Sequence, residues 1–274
     1  MRNDFLELKK YYREATIQIP NGSVLKNFIN RKFKHSIKVL HIGKHIMYET
    51  AELKREPTTF KDIAQKALLF HDVGRFEEAV LRYKTTDLSA NPEKTNQYDH
   101  GLIGYKKIKN NPNYNDARIL FPVLYHGKMI EEIKKSAEWK KIAKKPYKDE
   151  AEKILFLVRD ADKLENLEKI KKEDKLRNDL LFTSLAPKAL NAGLSQNVKQ
   201  QFFAKQTISL STIHSFADRI LLVLSWIFDL NYQKTKEIFK QQEYGQYLLN
   251  MLSQYHKSKK DIEEITSFMN KHLS

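Results

Sequence analysis

The sequence predicts an all-α protein. Apolar residues from position 35 onward recur three and four apart rather than alternating, the spacing of a helix with one buried face. Helix breakers are scarce, with 8 Gly and 7 Pro among 274 residues. Residues that cap helices stand immediately before the periodic stretches. The hydrophobic share of 41% suits a packed chain and argues against disorder. At this length the chain can form one large helical domain, or a domain of ordinary size with a substantial extension.

The organisation predicted is an N-terminal helical extension over residues 1–30, a central domain over 31–170 and C-terminal helices over 171–274 packing on it. Val39, Ile42 and Ile46 share a helix stripe with His35. Thr59 with Asp62 three residues later reads as a capping box, opening a helix through Ile63, Ala67 and Phe70 to His71, with Gly74 as its stop. From Arg75 to Asp99 the turn-forming residues Thr85, Thr86, Asp87, Asn91, Pro92 and Asn96 read as a long loop, of a kind that often covers substrates. Asp99 caps a helix from His100 to about Lys109, ended by Asn110-Asn111-Pro112. Asn115 caps the next helix, which leads to His126 and is bent by Pro122. Lys134 to Lys148, with Trp139, reads as a solvated basic helix and turn. A further helix from Asp149 to Lys169 carries Asp160 and Asp162. Beyond residue 170 helical patterns recur around Leu180-Leu181, Ile220–Phe228 and Tyr244–Leu252, without a cluster of ligand residues.

The absence of cysteine removes disulfides, thiolate metal sites and cysteine nucleophiles, and it fits a reducing compartment. Any metal must be held by His and carboxylates. The N-terminal residues Met1-Arg2-Asn3-Asp4 lack the apolar stretch of a secretory signal, so a cytoplasmic location is expected. The longest apolar run, Ile220 to Phe228, is far short of the roughly 20 residues of a membrane span, and no membrane partner is expected. A formal charge of +15 would concentrate phosphate-bearing ligands and allows nucleic acid as a partner, although Lys spread along the chain gives the same surplus without any function.

The informative segment is Phe70-His71-Asp72-Val73-Gly74-Arg75. Adjacent residues on a regular helix point about 100° apart, but at a helix end an imidazole and a carboxylate can converge on one ion. His35 precedes this pair on one helix, His100 and His126 follow on two more, and Asp162 lies on another. His41 and His45 form a competing i, i+4 pair, but they fall on a polar side with Lys34, Lys38 and Glu49. For Asp160 against Asp162 the helix is apolar on nearly all sides, and angles do not choose.

The order His35, His71-Asp72, His100, His126, Asp162 resembles the HD superfamily of metal-dependent phosphohydrolases. The contexts His35-Ser36-Ile37-Lys38-Val39, Asp99-His100-Gly101-Leu102-Ile103-Gly104, Leu124-Tyr125-His126 and Arg159-Asp160-Ala161-Asp162-Lys163-Leu164 resemble its motifs too. The likeness covers about residues 31 to 170 and implies an HD-type helical bundle, with Asp162 rather than Asp160 as the ligand. Arg75 stands where related phosphodiesterases with a His-Asp-Ile-Gly-Lys motif carry lysine, a place from which a cation can meet a substrate phosphate. The Gly-Tyr-Pro motif of the cyclic-dinucleotide branch is absent, and Gly101 replaces a proline usual there.

Four histidines and two carboxylates exceed the needs of one open site, which suggests two divalent ions sharing Asp72. His35, His71, Asp72 and Asp162 would hold one, and Asp72, His100 and His126 the other. Mixed imidazole and carboxylate ligands favour Mn or Fe, with Mg, Co, Ni or Zn also able to bind. The expected activity is hydrolysis of a phosphomonoester or phosphodiester, a small molecule such as a nucleotide, with Asp72 and Arg75 at the reacting centre. Two other readings stand beside it: an HD-type nuclease acting on single-stranded nucleic acid, and a regulatory protein that keeps the metal and binds nucleotides without turnover. Oligomeric state is left open.

Overall fold

The structure is a computed structural model that describes residues 1–85, 98–173, 192–206 and 208–273. Among these residues there is no strand, and the chain is all-α. No described helix is long and apolar enough to cross a membrane. Contacts divide the chain into two compact units, Met1–Asp162 and Lys163–Ser274.

The first unit contains α1 (Arg2–Thr16), α2 (Val24–Glu49), α3 (Ala51–Lys54), α4 (Thr58–Phe70), α5 (Gly74–Thr85), α6 (His100–Ile108), α7 (Ala117–Tyr125), α8 (Ile130–Lys135), α9 (Ala137–Ile142) and the start of α10 (Lys148–Glu173). α2 is opened by Ser23, whose hydroxyl accepts from Lys26 N. Its buried stripe runs through Leu25, Ile29, His35, Val39 and Ile46, while His41 and His45 lie on the exposed side. That stripe packs on α4 and α5; α4 in turn packs on α7, and α5 on α6. Phe60, Phe70 and Phe76 are fully buried here, and burial of each stabilises by about 1.5–3 kcal/mol. α1 lies against α2, α4 and α5, and its buried Asp4 accepts from Tyr114 Oη at 3.0 Å.

Several local expectations need correction. The predicted capping box at Thr59 and Asp62 does not form, because extended Pro57 caps α4 two residues earlier and leaves Thr59 inside the first turn. Gly74 does not stop a helix: α4 ends at Phe70, and Gly74 opens α5. Arg75 to Thr85 is therefore helix rather than loop, and the rest of that expected loop, residues 86–97, lies outside the described residues. Asp99 caps α6 as expected, accepting from Gly101 N and Leu102 N. α7 is capped by Asp116 rather than Asn115, since the helix begins at Ala117 and Asp116 accepts from Arg118 N. The basic stretch forms α8 and α9 with most of its lysines exposed as expected, but Trp139 and Ile142 pack inward. Trp139 stacks on Phe121 at 5.8 Å, and Ile133 and Ile142 join Phe121, Ala151 and Leu155 in a buried cluster.

In the second unit the helix expected over Ile220–Phe228 begins at Phe216 and tightens to a 3₁₀ turn over Ser225–Asp229. Ser215 and Asp218 form a true capping box at its start. The helix Phe216–Leu224 packs on Tyr244–Tyr255, which Lys259–Leu273 also contacts. The pattern around Leu180-Leu181 lies outside the described residues.

Candidate metal centre

His71 and Asp72 sit in the short link between α4 and α5, where the chain leaves one helix and enters the next within three residues. This link is possible because α5 comes very close to α6: a Cβ on Gly74 would stand 2.0 Å from the carbonyl oxygen of His100 and 2.6 Å from Gly104 N. A side chain at position 74 would push α6, and His100 with it, away from Asp72. His126 is the C-cap of α7, and its turn is gripped by Arg159 of α10, whose Nη1 donates to the carbonyls of His126 at 2.7 Å and Lys128 at 2.6 Å. Asp162 follows Arg159 by three residues, so one face of α10 both holds His126 and delivers Asp162.

All six predicted metal-ligating residues meet, and Arg75 stands beside them, its Nε 3.5 Å from Asp72 Oδ1. His35 Nε2 lies 3.3 Å from His71 Nε2, 3.4 Å from Asp72 Oδ2 and 3.1 Å from Asp162 Oδ1. His100 Nε2 lies 3.2 Å from His126 Nε2, and these atoms stand 3.6 and 3.4 Å from Asp72 Oδ1. Asp72 thus gives one carboxylate oxygen to the first imidazole pair and the other to the second. Three overlapping triads are close enough to hold an ion: His35, His71 and Asp72; His71, His126 and Asp162; Asp72, His100 and His126. Asp160 is wholly buried, whereas Asp162 has the oxygen that faces the imidazoles.

The donor set fits a cation. His71 Nδ1 lies 2.8 Å from the carbonyl oxygen of Leu68, and His126 Nδ1 lies 3.2 Å from those of Pro122 and Val123. A carbonyl can only accept, so each Nδ1 carries the proton and each Nε2 of the neutral ring presents a lone pair to the site. Lone pairs and carboxylate oxygens converge in a pocket where His35 and His71 are fully buried and Asp72 is 3% exposed. Such a surplus of acceptors calls for positive charge.

Burial, opposed by Asp72, lowers the His71 pKa to about 4, which keeps the ring neutral. Burial, with Arg75 next, lowers His100 in the same way. For Asp72 burial alone would raise the carboxyl, but Lys32 and its other partners hold it well below the usual carboxylate range. Asp162 is likewise lowered despite its burial, chiefly by its hydrogen bond with His35.

Sequence reasoning missed four residues around the centre. Lys32 reaches Asp72 Oδ2 at 3.0 Å from one turn before His35, and its i, i+3 spacing was the available signal. Glu78 and Arg82 follow Arg75 at helical spacing and pair with it in series. Arg159 stood next to Asp160 in a quoted motif, but nothing local to it announces a bond to the His126 turn.

Residues 33–167 match the HD domain family model. The chain carries an HD domain. The match starts just before His35 and ends beyond Asp162, so it contains every residue of the buried cluster. The HD domain puts the chain in a superfamily of metal-dependent hydrolases, and its buried His and Asp groups are compatible with divalent metal. No curated protein and no solved structure matches the HD-domain protein significantly.

Proposed function

We propose that the protein is a metal-dependent phosphohydrolase that hydrolyses a phosphomonoester or phosphodiester of a small molecule such as a nucleotide. The observation that carries this reading is the division of the Asp72 carboxylate, Oδ2 toward His35 at 3.4 Å and Oδ1 toward His126 at 3.4 Å. One carboxylate with an imidazole pair on each oxygen supports two ions rather than one. His35, His71 and Asp162 with Asp72 Oδ2 would hold the first, and His100 and His126 with Asp72 Oδ1 the second.

Divalent ions bound there supply Lewis acidity, which lowers the pKa of water and offsets charge on phosphoryl oxygens. The chain does the rest. Leu68, Pro122 and Val123 fix two of the imidazoles in the tautomer that faces the site. Arg75, 30% exposed at the edge of the centre, offers its guanidinium to a phosphoryl oxygen. In the net reaction the oxygen of water becomes bonded to phosphorus while the phosphorus–oxygen bond to the leaving alcohol breaks, and that alkoxide takes up a proton. Imidazole-rich mixed ligation favours Mn or Fe.

The test is Asp72→Ala. Bound Mn²⁺ is expected to fall with hydrolysis of an aryl phosphate diester; unchanged metal content would overturn the assignment. Oligonucleotide cleavage lost in the same variant would favour the nuclease reading, and nucleotide binding without turnover by the wild type the regulatory one.

A further inference from the structure

α5 carries a chain of alternating charges that ends at the metal centre. Glu78 is 3% exposed and lies between two arginines: its Oε2 accepts from Arg75 Nη1 at 2.8 Å, and its Oε1 pairs with Arg82 Nη2 at 2.8 Å. Arg82 Nε donates to the same Oε1 at 3.1 Å. The far side of the carboxylate is therefore fully engaged, and its near side is committed to Arg75.

Arg75 itself is incompletely used. Its Nε is buried and makes no hydrogen bond, standing 3.5 Å from Asp72 Oδ1. Its Nη1 is taken by Glu78, and among the described residues Nη2 has no partner. A guanidinium beside an ionised carboxylate would normally turn to form a two-pronged pair with it. Here the geometry stops short of that pair, because the pull of Glu78 on Nη1 draws the fork away from Asp72. That leaves Nη2 as the uncommitted donor of a side chain that is 30% exposed.

We infer that Glu78, backed by Arg82, is a positioning residue that holds Arg75 off Asp72 and presents its Nη2 to a phosphoryl oxyanion. Two consequences follow from the same contact. Asp72 Oδ1 keeps its lone pairs for the imidazole side of the centre, and the incoming anion meets a donor already oriented. This rests on the reading of the preceding subsection, in which Arg75 meets phosphate, and it adds the group that makes Arg75 competent to do so.

The experiment measures inorganic phosphate binding by calorimetry to Mn²⁺-loaded full-length protein, with bound metal determined in parallel. It uses wild type, Glu78→Gln, Arg75→Gln and the double variant. Glu78→Gln is expected to weaken phosphate binding by at least about tenfold and to raise KM for an aryl phosphate more than it lowers kcat. In the Arg75→Gln background the same change is expected to add less than about twofold, because Glu78 acts through the guanidinium. If Glu78→Gln does not fold, Glu78→Asp carries the test, since it keeps the charge but is one methylene too short to hold Arg75 Nη1 in place, and it is expected to show the same weakening.

Phosphate binding by Glu78→Gln within twofold of wild type, or an equal loss in both backgrounds, would overturn the inference. So would the absence of phosphate binding by metal-loaded wild type. The Asp72→Ala metal measurement separates these failures from failure of the metal reading itself, because it does not depend on Arg75 or on phosphate.

Discussion

Nε2 of His35 and Nε2 of His71 face each other at 3.3 Å, and both rings are fully buried. Because the Nδ1 proton of His71 is engaged with the Leu68 carbonyl, the nitrogen facing His35 is a lone pair. A second proton on His71 would put charge onto a fully buried ring, and this sets how the metal-free protein responds to acid.

His71 has a pKa of about 4 in the folded protein, below the ordinary 6.5 of an unfolded histidine. As pH falls through this window the unfolded chain takes up the proton first, so the folded state loses stability as pH falls from about 6.5 to 4. His100, lowered by burial and Arg75, acts in the same direction. Asp72 and Asp162, also lowered, contribute stability that is present above the ordinary carboxylate range and is lost below it. For His71 alone the linkage predicts a loss of about 2 kcal/mol between pH 8 and pH 5, or a fall in Tm of roughly 4–8 °C. A Tm of the chelator-treated protein that stays level across this range would contradict the neutral buried imidazole.

Gly74→Ala tests the close approach of α5 and α6. The added Cβ would meet backbone, 2.0 Å from His100 O and 2.6 Å from Gly104 N, so neither neighbour can yield by rotating a side chain. A loss of about 1–3 kcal/mol in denaturant unfolding is expected, together with weaker metal binding as His100 is displaced. Gly127→Ala is the control, since its Cβ would meet only His100 ring atoms at ordinary contact, 3.7 Å and beyond. Equal stabilities for the two variants would refute this account of Gly74.

Much of the site was legible because its signals are local. The stripe of His35 with Val39 and Ile46 needs only helical spacing, and the Asp99 cap needs only a short acceptor before a periodic run. Gly74 was misread because glycine after an apolar helix usually terminates it, whereas here the residue is demanded by His100 and Gly104, far along the chain on α6. Thr59 and Asp62 had the composition of a capping box, but Pro57 sets the helix start and moves them out of register. Asp162 could not be distinguished from Asp160 by periodicity, since both lie on a helix apolar nearly all round; packing turns Asp162 to His35. Lys32 and Arg159 act through contacts that exist only after the helices assemble, whereas Glu78 pairs within α5 at spacings the sequence already carried.

Arg159→Met keeps the length and apolar stem of the side chain but removes its donors to the carbonyls of His126 and Lys128. Leaving these acceptors without their charged partner in a buried setting is expected to cost on the order of 2–4 kcal/mol. The His126 turn should loosen with it, so the ratio of bound Mn²⁺ to protein should fall even under conditions where the variant remains folded. Wild-type metal content with reduced stability would confine Arg159 to a structural role.

Two histidine pairs compete on α2 and its surroundings, and burial separates their expected behaviour. His41 and His45 are exposed on the face opposite the buried stripe, so replacing both by Ala removes no packing and should change stability by no more than about 0.5 kcal/mol. His35 is fully buried, and its Nε2 touches His71, Asp72 and Asp162 within 3.4 Å. A small apolar replacement there leaves a cavity beside two carboxylates. His35→Ala should therefore lose both bound metal and stability, and His35→Gln, closer in volume and still polar, should recover more stability than metal. Metal loss in the His41→Ala, His45→Ala protein with retention in His35→Gln would reverse the assignment and move the cation to the exposed face.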